Sequence, residues 1–597
     1  DIYIGDAGIS DEDCRRIVVD WRSPVAEAYY NQDLGPTSYE ANGRTIHADL
    51  LLRRQFSIEE DRLLAYFDTT VAIQDALLLA SLAQRRSAQM QAITATIQKE
   101  QNRVVRHDDV PVLLVNGVAG SGKTSVMLQR IAYLLYRHRD TLDPRDMTII
   151  TPNPVFRHYI DQVLPSMGER NPQMLTWAEL AERLLPPALA GAADRTSADA
   201  LDAIDAAVAS FELQPADFRD IACEGVTLVR AASIRKISER FANVPAGPHR
   251  MTLVREELHK RLRVRLGQMA AQESLHDELA ALPLDEQLRL FHGPFDPQDE
   301  HEARSLAQAY VDDRYAGAFE AVERDDWLSI GRIGQRLLGR RSLEPLEWLY
   351  LKMAVTGLSD AQARYVMVDE VQDYTAAQLT VLARYYRRAR FLLLGDPNQA
   401  IGKHLASFGQ ARAVFERFHG TVEECFLNIS YRSAPGIAEL FGRLARQDGV
   451  RAQLESVQRS DEPPVIIECA DKQAHASELR RVVAEAQEAT RAEGGLCAVV
   501  VPRQRDARQL ARQLEEAGLK PPLVVDGEGA LPDQGVVVVS LKLAKGLEFD
   551  WVVVPDASER IFGSDDLARR RLYTTISRAT RRLTVLSGGP LSPWLRG

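Results

Sequence analysis

The chain has little cysteine and no extended apolar run, and both shortages narrow the classes of protein to which it can belong. Its 597 residues include five cysteines, which are scattered and form no C-x-x-C pair. This spacing predicts neither a zinc site nor a disulfide framework and favours a reducing, cytoplasmic environment. No apolar run approaches the ~18 residues of a membrane-spanning helix, and no signal-like segment opens the chain, so we expect no membrane partner.

An excess of basic residues is also missing. The formal net charge is -11 at pH 7, which argues against a protein held on nucleic acid by bulk charge but leaves room for a local basic groove. The length predicts roughly four domain-sized units. The chain begins at Asp1 rather than Met, inside a strand-rich stretch, so we expect an N-terminal piece to precede it.

The order of apolar patterns predicts an α/β protein with two parallel sheets. Short strand-like runs and a helix through VAIQDALLLASLAQ open the chain and indicate a small α+β module. Strands then alternate with helices, give way to a purely helical stretch, and alternate again to the end, as expected for parallel sheets covered by helices. The predicted parts are an N-terminal module (1–98), a first α/β domain (99–180 with 357–420), a helical insertion (181–356) and a second α/β domain (421–597).

The segment GVAGSGKT gives the clearest chemical signal. It matches the G-x-x-x-x-G-K-[ST] pattern and lies between a strand-like apolar run and an amphipathic helix, the context required of a phosphate-binding loop. Its glycines let backbone N–H groups surround the phosphates, Lys123 neutralises the β- and γ-phosphates, and the Thr124 hydroxyl ligates Mg²⁺. The predicted nucleotide-binding residues of this segment and of the position after it are Gly117, Gly120, Ser121, Gly122, Lys123, Thr124 and Ser125.

Two carboxylates follow the apolar run YVMV. Asp369 and Glu370 begin the sequence DEVQD, at a strand end where nucleotide hydrolysis needs a Mg²⁺-binding carboxylate and a water-orienting base. The next strand ends in LLLGDPNQ, and because ligands gather at the carboxyl ends of parallel strands, Gln399 can reach a γ-phosphate. We therefore predict Thr124 and Asp369 as metal ligands and Lys123, Glu370 and Gln399 as catalytic residues.

Six motifs carry a family resemblance. GVAGSGKT, DEVQD, GDPNQ, SYRS, KGLEF and ISRA, in this order, resemble the motifs of superfamily 1 helicases of the UvrD/PcrA/Rep type over residues 98–597. The resemblance implies two RecA-like motor domains that hydrolyse ATP with Mg²⁺ and act on nucleic acid, in particular single-stranded DNA.

The same resemblance assigns further residues of the ATP site. It implies that Gln101 reads adenine, that Tyr431 stacks on adenine, and that Glu548 with Gly546 meets the ribose or γ-phosphate side. It also implies that Arg432 and Arg578 are arginine fingers, a catalytic role that suits planar bidentate cations beside a transferring phosphoryl group.

A narrower resemblance extends to the start of the chain. The segments VVDWRSPVAEAYY, DLLLRRQFSIE, TIQKEQNRVVR and TPNPVFRHYIDQVLPSMGE are similar to the HelD class, also called helicase IV. For the Gram-positive members this implies RNA polymerase as a partner, stripped from nucleic acid with a coiled-coil arm that would lie upstream of Asp1. Trp21 and Arg22 have no assigned role, and a tryptophan beside a strand is typically a core residue. We expect a monomeric protein.

The sequence also departs from the UvrD-type pattern. After GDPNQ comes AIGKHLASF, so Gly402 and His404 stand where that family has base-stacking aromatic residues. Only 114 positions separate Arg432 from Gly546, which leaves no room for the large 2B insertion. Lys542 replaces a backbone-contacting histidine.

Two main functions and one minor alternative remain. The departures favour a HelD-type ATPase that couples domain closure to the release of RNA polymerase from nucleic acid. A 3′→5′ DNA helicase or translocase is the alternative. A nucleotide switch that barely hydrolyses ATP is disfavoured because Glu370, Arg432 and Arg578 are all present.

Overall fold

The structure is a computed structural model whose described residues fall into two units. The first unit comprises Asp1–Trp177, Gln362–Thr375 and Arg388–Gly597, and the second comprises Ala178–Ala361 and Ala376–Arg387. The helix predicted through VAIQDALLLASLAQ and the predicted adenine-stacking Tyr431 lie outside the described residues. The residues that the structure describes are 2–5, 7–31, 34–41, 43–59, 62–68, 99–152, 157, 160, 163–165, 167–430, 432–447, 450–451, 455–456, 462–526 and 531–596.

The described N-terminal part of the first unit, up to Asp68, consists of short strands and one short helix. Tyr3–Gly5 pairs in parallel with Arg16–Asp20, and Ile9–Ser10 pairs with the same strand in antiparallel orientation. Trp21 follows this strand and packs into the same apolar core as the first motor sheet. The remaining elements are the hairpins Gly35–Ala41 with Arg44–Leu50 and Arg54–Glu59 with Arg62–Asp68, and the helix Ala26–Asn31.

The first motor sheet has six strands, all parallel. Its spatial order is Gln173–Leu175, Met147–Ile150, Tyr365–Val368, Arg390–Gly395, Val112–Gly117 and Val422–Leu427. Its accompanying helices and 3₁₀ turns are Lys99–Val105, Lys123–Arg137, Pro144–Asp146, Val371–Asp373, Pro397–Gln399 and Phe408–His419. Two of these helices are named below: the Gln101 helix (Lys99–Val105) and the phosphate-loop helix (Lys123–Arg137).

The second motor sheet is also six-stranded and parallel. Its spatial order is Val465–Glu468, Ala579–Ser587, Phe549–Val554, Leu496–Val501, Gly535–Ser540 and Leu523–Val524. Its helices are Pro435–Leu444, Lys472–Ala492, Gln504–Glu516, Leu541–Ala544 and Asp566–Ile576. Two small strand pairs accompany it, Ile429–Ser430 with Glu455–Ser456 and Arg446–Gln447 with Val450–Arg451.

The second unit is mainly helical. One hairpin, Ile221–Cys223 with Val226–Val229, and one 3₁₀ turn, Pro215–Asp217, interrupt its helices. Across the described part of the chain, no helix has the length and apolar character required to cross a membrane. The helices assigned to this unit or starting at its boundary are Trp177–Leu184, Ala198–Val208, Ala231–Arg240, Pro248–Ala270, Glu273–Ala280, Leu284–Phe291, Glu300–Arg314, Ala316–Glu323, Ile330–Leu338, Pro345–Thr356 and Ala376–Tyr385.

Two parallel sheets covered by helices confirm the predicted α/β class with two RecA-like domains and a small N-terminal module. One strand differs from the predicted division. Val422–Leu427 was placed at the start of the second α/β domain, but it pairs with Val112–Gly117 at the edge of the first sheet. Its apolar pattern suits an edge position in either sheet, so sequence periodicity alone does not decide between them.

Candidate functional site

The loop between Val112–Gly117 and the phosphate-loop helix has the backbone of a phosphate cradle. Gly120 and Gly122 adopt left-handed conformations with φ of 75° and 78°. A Cβ atom on Gly120 would meet Arg432 Cβ at 2.6 Å, and one on Gly122 would meet Gln101 Nε2 at 2.5 Å. Both positions therefore require glycine, for conformation and for space.

Lys123 opens the phosphate-loop helix and turns its ammonium back into the loop. Its Nζ donates to Gly117 O at 2.9 Å and to Val118 O at 3.2 Å. Burial lowers the pKa of Lys123 although Asp396 and Glu370 lie near enough to favour its charge. The ammonium is thus held by carbonyl oxygens in the place where phosphate oxygens are expected.

Two hydroxyls in the cradle offer hydrogen bonds that no protein group uses. Among the described residues, the buried Oγ atoms of Ser121 and Ser430 have no hydrogen-bond partner. Buried polar atoms normally find partners, so this pair indicates space for a polar ligand, and phosphate oxygens suit it. Ser125, the third residue of the phosphate-loop helix, is also buried.

Gln101 reaches the same loop from the side. It is 1% exposed, and its Nε2 donates to Ser121 O at 2.9 Å. The predicted adenine-reading glutamine therefore touches the backbone of the phosphate loop directly.

The acidic pair lies at the carboxyl end of Tyr365–Val368. Thr124 Oγ1 donates to Asp369 Oδ2 at 3.3 Å, so the two predicted metal ligands lie side by side. Burial and the charge of Glu370 raise the pKa of Asp369 to about 7. Burial opposes the ionisation of Glu370, but the cations of Lys545 and Lys123 hold its pKa below the ordinary value. Glu370 is therefore the carboxylate of this pair that stays charged.

Glu370 also has an unusual backbone. Its φ is 51°, in the left-handed region that non-glycine residues rarely occupy. Its amide donates to Asp369 Oδ1 at 2.9 Å, and Gln372 Nε2 donates to its carboxylate. These contacts fix the carboxylate at the sheet edge, where a strained residue often marks function.

Asp396 is the centre of a buried hydrogen-bond network. Its Oδ2 accepts Gln399 Nε2 at 2.9 Å, and Gln399 Oε1 in turn accepts Arg578 Nη2 at 2.9 Å. Arg578 is 2% exposed, and burial together with the charge of Arg432 lowers its pKa to about 10. Both ends of the Gln399 amide are thus oriented. Asp396, at the edge of the first sheet, holds its Nε2, and Arg578, which follows helix Asp566–Ile576, holds its Oε1.

Tyr573 extends the network to the phosphate loop. Its hydroxyl donates to Asp396 Oδ2 at 2.9 Å and accepts the Ala119 N–H at 3.1 Å. Burial raises the pKa of Tyr573 well above the ordinary value, so the hydroxyl keeps its proton and acts as a donor.

Residues near the second sheet complete the site. Arg432 Nη2 forms an ion pair with Glu548 Oε1 at 2.7 Å. Lys545 Nζ donates to Gln399 O at 2.7 Å and to the Asp373 carboxylate. Gly546 follows with a left-handed φ of 81°. Of the predicted site residues, only Tyr431 lies outside the described part of the chain.

Several of these residues were absent from the predicted set: Asp396, Tyr573 and Lys545, and also Gln372, Asp373 and Ser430. Asp396 and Lys545 stand inside the quoted motifs GDPNQ and KGLEF, so the motifs themselves were the available signal. Tyr573 stands five positions before Arg578, and only its place on an apolar helical face indicated burial. His404 and Lys542, two of the residues that depart from the UvrD-type pattern, are exposed.

Comparisons with known proteins agree with this geometry. Residues 1–108 match the family described as DNA helicase IV HelD, N-terminal domain, and residues 535–586 match the UvrD-like helicase C-terminal domain. Residues 101–404, just over half of the chain, match an AAA domain. No curated protein matches the chain. Among solved structures, the C-terminal domain of a possible DNA helicase from Lactobacillus plantarum WCFS1 is 27% identical, covers 28% of this chain and 92% of its own, and has a TM-score of 0.23.

Proposed function

Because the chain belongs to the HelD-like branch of the UvrD-type superfamily 1 helicases and is an ATPase of that class, we propose how its residues divide the work. Gly117 to Ser125 hold the phosphates, with Lys123 on the β- and γ-phosphates. Gln101 lies on the adenine side, and Glu548 with Gly546 on the ribose or γ-phosphate side. Tyr431 keeps its sequence-based assignment as the adenine-stacking residue.

Thr124 and Asp369 would hold Mg²⁺. Their side-chain oxygens are adjacent and both are hard oxygen ligands, which suits this cation. When bound there, Mg²⁺ would supply positive charge against the phosphate oxygens. Its positive charge also favours the ionised form of Asp369, which the protein alone leaves with a raised pKa.

Glu370 is the proposed general base. It stays ionised beside Lys545 and Lys123, and it accepts the proton of the attacking water. Gln399 orients groups at the γ-phosphate, while Arg432 and Arg578 stabilise the charge that develops there. The observation that best supports this proposal is the chain of hydrogen bonds Asp396–Gln399–Arg578. It joins the edge of the first sheet, where Glu370 lies, to an arginine of the second sheet's part of the chain.

We propose that the energy of ATP hydrolysis drives closing of the two motor domains, and that this closing releases RNA polymerase from nucleic acid. The match of residues 1–108 to the HelD N-terminal domain supports this proposal, as do Gly402 and His404 at the positions expected to hold base-stacking aromatic residues. Direct 3′→5′ translocation on single-stranded DNA is the second candidate, supported by the helicase match of residues 535–586. We further propose a monomeric, cytoplasmic protein; the domain boundaries stay a prediction.

One experiment separates the two candidates. ATP turnover is measured alone, with single-stranded DNA, and with core RNA polymerase, using the Glu370→Gln variant as the inactive control. Release of labelled DNA from a polymerase complex is followed in parallel. ATP-dependent release without duplex unwinding supports the polymerase proposal. Fast unwinding of plain duplex DNA with no effect on polymerase complexes contradicts it and leaves a DNA helicase.

A further inference from the structure

The Asp20-Trp21-Arg22 stretch joins the N-terminal module to the helices that carry the nucleotide site. Arg22 forms a two-point ion pair with Asp20, with Nη2–Oδ2 at 2.7 Å and Nε–Oδ1 at 2.9 Å. Arg22 Nη1 also donates to Glu169 at 2.7 Å, and its Cζ lies 4.6 Å from the centroid of the Tyr136 ring. Since Tyr136 is on the phosphate-loop helix, this arginine fixes the module to that helix.

Trp21 makes a second connection, through its backbone. Arg106 Nη2 donates to Trp21 O at 2.5 Å, and Arg106 Nε donates to Asn102 Oδ1 at 3.1 Å. The same guanidinium lies 5.2 Å from the Tyr133 ring centroid. Arg106 directly follows the Gln101 helix, and buried Asn102 is the neighbour of Gln101. One side chain therefore ties the module, the Gln101 helix and the phosphate-loop helix together.

The Gln101 helix depends on such anchors. Its described residues are Lys99–Val105, and several contacts hold them. Arg130 Nη1 donates to its C-terminal carbonyls, Val104 O at 2.8 Å and Val105 O at 3.2 Å, and Glu100 Oε2 accepts the Asn428 N–H at 3.0 Å. Those contacts come from the motor itself. The N-terminal module contributes the bond to Trp21 O, and Ala26 of the module shares an apolar core with Val104 and Val105.

We propose that the N-terminal module is a positioning element for nucleotide recognition. Trp21 O, acting through Arg106, holds the Gln101 helix so that Gln101 meets the phosphate loop at Ser121, where the base side of the nucleotide is read. Arg106 is a positioning residue, since it acts through Gln101 and Asn102. This inference rests on the proposed ATPase function and on the assignment of Gln101 to the adenine.

A consequence is coupling between the module and the nucleotide. By thermodynamic linkage, a partner that pulls the module off the Gln101 helix lowers nucleotide affinity, and nucleotide binding holds the module in place by the same factor. The N-terminal module then lets a bound partner set the nucleotide affinity of the motor.

The test uses equilibrium binding of ADP and GDP to the whole chain by calorimetry, which needs no turnover. Arg106→Met removes both donors while keeping the aliphatic stem. Arg103→Met is the matched control, because Arg103 lies on the same helix with an exposed side chain. Gln101→Ala removes the proposed base reader. We expect Arg106→Met to weaken ADP binding about fivefold, the effect of one or two lost hydrogen bonds, and to reduce the preference for ADP over GDP.

The outcomes separate the inference from the function on which it rests. If Arg106→Met binds ADP as tightly as the parent chain and keeps the parent's preference for ADP over GDP, the inference is overturned. Parental preference in Gln101→Ala overturns the adenine assignment instead, and absence of nucleotide binding by the parent chain overturns the proposed function. If Arg106→Met does not fold, Arg106→Lys carries the test, since one ammonium cannot reproduce the forked pair of bonds. Turnover adds a second readout: a higher KM for ATP with little change in kcat supports a positioning role.

Discussion

Tyr573 and Asp396 share a hydrogen bond of 2.9 Å that links helix Asp566–Ile576 to the edge of the first motor sheet. The same tyrosine hydroxyl accepts the amide of Ala119 in the phosphate loop, and the same carboxylate oxygen holds Gln399. One hydroxyl therefore connects the phosphate loop to Asp396, and through Asp396 to Gln399 and Arg578. These contacts give the proposed domain closure a physical path.

The first prediction tests this hydroxyl. Tyr573→Phe keeps the ring, which packs edge-on against Phe441 at 5.4 Å, and removes only the hydrogen bonds. We expect kcat for ATP to fall about tenfold, because a bond to a buried carboxylate is lost and Gln399 is held less firmly. Steady-state ATPase measurements check it.

The matched control for this variant is Tyr374→Phe. Among the described residues, the buried Tyr374 hydroxyl has no hydrogen-bond partner, so its removal should lower kcat less than the loss of the two bonds of the Tyr573 hydroxyl. Equal rates for Tyr573→Phe and the parent would show that the Tyr573 hydroxyl does not contribute to hydrolysis.

The second prediction separates nucleotide binding from hydrolysis. Lys123→Ala should abolish both, because it removes the buried phosphate-binding cation. Glu370→Gln should abolish hydrolysis but still bind ATP, because it removes only the base. Thermal melting with and without Mg·ATP measures binding, since a ligand that binds the folded state raises the melting temperature.

In this experiment Glu370→Gln should show the ligand-induced rise and Lys123→Ala should not. Chelation of Mg²⁺ should stop turnover in the parent chain as completely as either substitution. Undiminished turnover in Glu370→Gln would remove Glu370 from the catalytic assignment.

The third prediction concerns the two arginines beside the second sheet. Arg578→Ala or Arg432→Ala should lower kcat by about 10³-fold with little change in ATP affinity, as for groups that act mainly on the transition state. Arg578→Lys should remain strongly impaired, because one ammonium cannot reproduce the separate bonds that Arg578 donates from Nε to Thr574 O and from Nη2 to Gln399 Oε1. Single-turnover kinetics measures the chemical step.

Arg582→Ala provides the control for those variants. Arg582 lies on strand Ala579–Ser587 and pairs with Glu462, an exposed residue, so its loss should leave kcat unchanged. Normal hydrolysis in both Arg432→Ala and Arg578→Ala would rule out closure of the second domain onto the nucleotide.

The sequence predicted the parts of the site that depend on local pattern. A phosphate loop needs consecutive residues between a strand and a helix, and Asp369 and Glu370 directly follow a buried strand, so spacing alone located them. The contact between Tyr573 and Ala119 joins residues 454 positions apart, and no periodicity encodes it. The bond from Arg106 to Trp21 O uses a backbone acceptor, which any residue at that position would supply. Such contacts follow from packing and are not readable from residue types.

The last prediction tests the glycine cradle. Gly122→Ala combines a left-handed φ of 78° with a Cβ placed 2.5 Å from Gln101 Nε2. Gly168→Ala is a matched control in the same unit, because Gly168 has a φ of 79° and nothing within 4 Å of its added Cβ. Conformational strain alone should cost both variants about 1 kcal/mol of unfolding free energy.

The collision should cost Gly122→Ala an additional loss of stability, together with most of its ADP affinity, whereas Gly168→Ala should bind ADP like the parent. Adding Gln101→Ala to Gly122→Ala should restore part of that extra stability, because it removes the colliding amide, but not the part due to φ. Urea unfolding and calorimetric ADP binding measure the two effects. Equal destabilisation by Gly122→Ala and Gly168→Ala, with unchanged ADP affinity in both, would mean that Gln101 does not press against the phosphate loop in solution, and it would also remove the contact through which the N-terminal module is proposed to act.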